Sequence, residues 1–195
     1  MTDHSLPVGR VLRSSTASLT LGAKTLAGDV PRFGGFVKVA APDGGDIIGL
    51  IYDVVIEDDL FARQLIGAEA SAEYIADQRQ NRQVPIEISV LVVGHIKDGT
   101  MYQFLPPQPP ISLDEIVTCS TRELVEFTNN FTYFRTVLSA KDAPADELLA
   151  ASLRLAAQAR GSQGRDFLVR AGRELSRLLA FDAVRLEGLL RRIKP

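Results

Sequence analysis

A chain of 195 residues, 46% hydrophobic and 24% charged with mean hydropathy +0.07, has the composition of a globular protein that buries a real core, in one domain or two small ones. No apolar run approaches the roughly 18 residues needed to cross a bilayer, and "MTDHSLPVGR" lacks a cationic segment followed by an apolar stretch, so the expected compartment is the cytoplasm. The single Cys119 cannot form an internal disulfide, in keeping with a reducing compartment, and net charge is −2.

From Val8 to about Leu105 the apolar period is that of strands. "VGRVLRSS" is followed by "SLTLGAK", then by "GGFVKVAA" with the turn signal "PDGG", and then by "DIIGLIYDVVIEDD". An insertion, Leu60–Pro85, repeats Leu60, Phe61, Gln64, Leu65 and Ala68 at helical spacing, which predicts a helix over about Phe61–Arg79 or two shorter ones. Strand character resumes in "IEISVLVVGHIK", and Asp98-Gly99 predicts a two-residue hairpin into "TMYQF". The cluster Pro106, Pro107, Pro109 and Pro110 then stops the sheet, because proline donates nothing to a ladder and holds its predecessor extended. The predicted fold is α+β. A small antiparallel β-barrel spans 5–110 with a helical insertion at about 60–84, and a mainly helical domain follows at 111–195.

In the second part, Ser112 is placed to cap a short helix through Glu115, and Ser120 or Thr121 to begin another carrying Leu124, Val125 and Phe127. "FTYFRTVLSAKD" reads as strand or buried helix. "PADELLAASLRLAAQARG" places Leu148, Leu149, Ser152, Leu153 and Ala156 on one face with Gly161 as the stop. "RDFLVRAGRELSRLLAF" does the same with Phe167, Leu168, Ala171, Leu175, Leu178 and Leu179, and Asp182 caps a last helix. Residues 1–159 hold 13 Lys and Arg against 20 Asp and Glu, whereas residues 160–195 hold 9 against 4. That basic tail is either a solvated helix face or a surface for something acidic.

"VGRVLRSSTASLTL", "GGFVKV", "GDIIGLIYDVVIE", "IEISVLVVGHI" and the exit "LPPQPPISLDEI", in this order, resemble the HAS barrel. This is the small barrel at the front of HerA-type hexameric DNA translocases, related to the barrel that crowns the catalytic-head subunits of ATP synthases. The resemblance covers a little over half of the chain. It implies a barrel used for subunit contacts and for docking a partner nuclease. The motor is missing: no G-x-x-x-x-G-K-[ST] occurs, and the 83 residues after Ser112 are too few for a motor domain.

No residue pattern announces catalysis. His4 and His95 make a poor metal or acid–base pair, and Cys119 reads as a buried, inert thiol. Glu57-Asp58-Asp59, with Asp53 and Asp46, has the oxygen chemistry of a cation site but reads more simply as an acidic turn. "SSTAS" lacks the surroundings of a serine nucleophile. No catalytic residue, metal or cofactor is expected. The sequence therefore points to a non-catalytic assembly or adaptor protein that oligomerises through its barrel or docks to a HerA-type translocase or its nuclease. Its expected surface is Arg32, Phe33, Phe36, Lys38, Asp46 and Asp53. The alternative is a nucleic-acid-binding module using Arg165, Arg170, Arg173 and Arg177, whose guanidinium groups suit phosphates.

Overall fold

The computed structural model describes residues 5–26, 31–56, 64, 71–81 and 83–194. Seven strands are described: β1 (Pro7–Ser14), β2 (Ser18–Leu26), β3 (Phe36–Ala40), β4 (Asp46–Ile56), β5 (Gln83–Lys97), β6 (Thr100–Tyr102) and β7 (Glu115–Thr118). They run in the order β2-β1-β7-β3-β4-β5-β6, and β5 also pairs with β2. Six strands thus close an antiparallel barrel, while β6 prolongs β5 as a short hairpin arm. The 15-residue β5 closes the ring because it is long enough to pair Ser18–Leu26 on one side and Asp46–Ile56 on the other. Bulges at Ile48/Gly49 and Ile51/Asp53 bend β4 around the curve. The predicted hairpin is present, with both turn residues left-handed, Asp98 at φ 50° and Gly99 at φ 73°.

Alternation fills the barrel. Val37 and Val39, Ile47 and Ile51, and Ile86, Ile88, Val90 and Val92 point inward and pack with Val11, Leu21 and Ile116. The opposite faces of β3, β4 and β5 are apolar too. Phe36, Ile48, Leu50 and Val93 belong to a second core shared with the helices. This double burial explains why "DIIGLI" runs apolar without alternation.

Six helices are described: α1 (Ala72–Asn81), α2 (Thr121–Phe127), α3 (Tyr133–Leu138), α4 (Ala145–Ala159), α5 (Gly164–Leu178) and α6 (Ala183–Ile193). Ser120 caps α2 in a reciprocal box with Glu123, and the Asp182 carboxylate caps α6 by accepting the Arg185 N–H. Burial makes "FTYFRTVL" helical: Tyr133, Phe134 and Val137 all point into the second core. Within the insertion the described helix is α1. Glu57–Asp59, Phe61, Leu65 and Ala68 lie outside the described residues, as does His4. None of the described helices is long and apolar enough to cross a membrane.

One expectation is overturned. The barrel does not end at the prolines, and Ser112 caps no helix. After Pro110 the chain turns at Ile111–Asp114, with Leu113 at φ 73°, and comes back as β7 between β1 and β3. Ser14 donates its hydroxyl to the Pro110 carbonyl at 2.9 Å, and the Val11 N–H reaches the Asp114 carbonyl at 3.0 Å. The β-branched run Ile116-Val117-Thr118 fits a half-buried ladder better than a helix, and burial of Ile116 inside the barrel decides it.

Candidate interaction surfaces

Where the barrel meets α2, the charges on the inner flank are used within the fold. Lys38 on β3 ion-pairs with Glu123 on α2 and lies 3.9 Å from Asp46 on β4. Burial pushes the Glu123 carboxyl up, but hydrogen bonds from Lys38 and from the N–H and hydroxyl of Ser120 outweigh it and hold Glu123 below its ordinary value. Burial also opposes the Lys38 charge, yet Glu123 and Asp46 raise its pKa. Asp46 shifts upward, because burial outweighs the attraction of Lys38. Cys119 beside them is desolvated, and its thiol is pushed far up, into the inert state.

The expected docking surface is therefore split. Phe36, only 6% exposed, stands edge-on to Phe127 and Tyr133 at ring separations of 6.0 and 6.2 Å, so it is core. Lys38 and Asp46 are spent on the joint with α2. Arg32, Phe33 and Asp53 remain exposed.

Above this joint lies a groove of about 1570 Å³ between the barrel and the helices. Leu6, Pro7 and Val37 form its barrel wall, Leu124 and Val125 of α2 and Leu155 of α4 the opposite one, and Arg32 and Arg122 stand at the rim. Neither arginine has an ion-pair partner among the described residues. The helical wall is held by Arg160, which donates to the carbonyls of Ala156 and Val125 and to the Asn129 side chain, with its guanidinium 4.0 Å above the Phe167 ring. A smaller cavity of about 780 Å³ opens between β6 and the α2–α3 turn, beside Glu174 and Arg177.

The C-terminal arginines are also divided. Arg177 pairs with Glu174 at 2.5 Å, Arg191 with Glu187, Arg185 with Asp146 at 2.7 Å and Arg192 with Glu147 at 2.6 Å. Two of these tail arginines, Arg185 and Arg192, are thus answered by the acidic start of α4. Arg165, Arg170 and Arg173 lie exposed on α5 without an ion-pair partner among the described residues.

His95 is buried, stacked on Tyr102 at 5.1 Å and edge-on to Phe104, with Nδ1 3.2 Å from the Phe104 carbonyl. Ser15 holds the β1–β2 turn, its hydroxyl oxygen accepting the N–H groups of Ala17 and Ser18. No group of His, Cys, Asp or Glu able to hold a metal ion occurs among the described residues.

Two positions escaped sequence reasoning. Gln103, buried at the end of β6, and Arg160, at the end of α4, each tie together segments distant in the chain. Neither residue belongs to a motif, and only the folded contacts single them out.

These features define a mixed α+β protein: a closed six-strand antiparallel barrel with a helical layer on its outer face and a broad apolar groove between them. No protein-family model matches the chain, and no curated protein matches it either.

Proposed function

We propose that this is a non-catalytic assembly or adaptor protein, built on a HAS-like barrel, that self-associates or docks onto a HerA-type DNA translocase or its nuclease. The observation that carries this reading is the groove between barrel and helices. Its volume exceeds the roughly 300–1,000 Å³ of small-molecule sites, and its lining supplies apolar area and arginines rather than a constellation of titrating groups. Such a site suits a folded protein segment. The order of strands in the sequence supports a HAS-like barrel, and so names the first partner to try. The test is a titration of the purified protein against a purified HerA-type translocase and its nuclease, alongside its own mass in solution. Binding to either, or self-association, supports the reading. A monomer that binds neither contradicts it.

A second reading, a nucleic-acid-binding module, rests on the exposed and unpaired Arg165, Arg170 and Arg173. It requires DNA binding that falls steeply with salt and disappears in Arg170→Ala/Arg173→Ala.

A further inference from the structure

Two of the apolar features that no described residue fills or covers bear on assembly. One is the groove. The other is a knob at the turn between α5 and α6, where Phe181 is 106% exposed and Val184 85%. A fully exposed aromatic ring with a valine beside it offers a large apolar anchor to a partner, and Phe181 is the most exposed of the large apolar side chains described. Asp182 lies between them, one carboxylate oxygen occupied in capping α6 and the other unused by that cap.

Knob and groove lie at opposite ends of the helical layer. The groove is walled by Leu155, Gln158 and Ala159 near the end of α4. The knob sits by the start of α4, because Arg185, in the first turn of α6, is bonded to Asp146 at 2.8 Å. Leu155 and Ala159 lie about 14–20 Å along the helix from Asp146, and Phe181 is fully exposed, so a chain does not place its own knob in its own groove.

We infer that the groove receives the Phe181–Val184 knob of a second copy of this chain. The apolar walls of Val125 and Leu155 take the ring and the valine, and the Asp182 carboxylate meets Arg122 and Arg32 at the rim. Opposite charges around a desolvated aromatic anchor give the contact its register. Because donor and acceptor patches differ, the contact is heterologous, and repetition gives a ring or an open chain rather than a two-fold dimer. This inference rests on the assembly reading above and supplies the occupant of its groove.

The test uses two variants at exposed positions, where folding is little affected. Phe181→Glu destroys the knob and leaves the groove. Gln158→Trp fills the groove with an indole and leaves the knob. Circular dichroism verifies that both fold. By light scattering the wild-type chain is expected to exceed the 21.2 kDa monomer mass, and each variant alone is expected to fall to it. Mixed in equal amounts, the two variants keep one complete interface, so they are expected to form a species of twice that mass and nothing larger. A wild-type monomer, variants that assemble like the wild type, or a mixture that stays monomeric each overturns the inference. If the wild-type chain is monomeric yet binds the translocase, the adaptor reading survives without this contact. If both variants assemble unchanged, assembly survives through another surface.

Discussion

The side chain of Gln103 accepts the backbone N–H of Tyr133 at 3.0 Å. Its amide also donates to the carbonyls of Phe127 at 2.6 Å and Asn130 at 3.0 Å. One buried amide thus ties the end of the β6 arm to the α2–α3 turn, and with it the barrel to the helical layer. Gln103→Leu leaves three backbone groups without their partner, and an unsatisfied buried group costs about 1–3 kcal/mol. The expected loss, partly offset by repacking, is about 3 kcal/mol in urea unfolding.

Tyr133 presents the opposite case. Its hydroxyl is fully buried beside Ser152, whose own hydroxyl donates to Leu149 at 2.8 Å, and it makes no well-formed hydrogen bond among the described residues. Removing an unsatisfied polar atom costs nothing in hydrogen bonding. Tyr133→Phe is expected to leave stability unchanged or to raise it by up to about 1 kcal/mol, read as an unchanged or higher midpoint in urea.

Gly34 stands at φ 79°, and a Cβ there would fall 2.6 Å from the Ala151 Cβ on α4. Two penalties coincide: left-handed strain of about 1–3 kcal/mol for a residue with a side chain, and collision with the helix. Gly34→Ala is expected to lower the thermal midpoint by several degrees, with loss of near-ultraviolet dichroism where Phe36 and Tyr133 pack. An unchanged midpoint would mean that α4 does not approach this closely.

The Glu123–Lys38 joint makes a signed prediction about pH. The folded-state pKa of Glu123 is depressed, so its stabilisation is present above the unfolded value of about 4.3 and is lost as pH falls through the folded value. Glu123→Gln should cost about 2 kcal/mol at neutral pH, and the difference from wild type should vanish under acid conditions. Asp46 runs the other way. Its raised pKa means that its charge opposes folding above its unfolded value, so Asp46→Asn is expected to be neutral or stabilising at pH 7. A pH-independent gap between Glu123→Gln and wild type would contradict this assignment.

The barrel strands were legible in the sequence because alternation and turn chemistry agree: Asp98-Gly99 can hardly be anything but a hairpin. Ser120 and Asp182 announced their helices for the same local reason. β7 was hidden because Ser112 and Glu115 imitate a helix cap, while the contacts that make Ile116 a strand residue come from β1 and β3, remote in the chain. Phe36 reads as surface because an outward-facing position on a barrel strand is normally wet, and nothing local in "GGFVKV" tells of the helical layer that covers it. The groove could not be read at all, since its two walls are more than eighty residues apart.

The most direct measurement of the central claim is the solution mass of the wild-type chain by light scattering, at low and high salt. An assembly anchored by an apolar knob in an apolar groove predicts a discrete species above 21.2 kDa that persists when charges are screened. A 21.2 kDa species at both salts, together with no binding to a HerA-type translocase or its nuclease, would contradict the account.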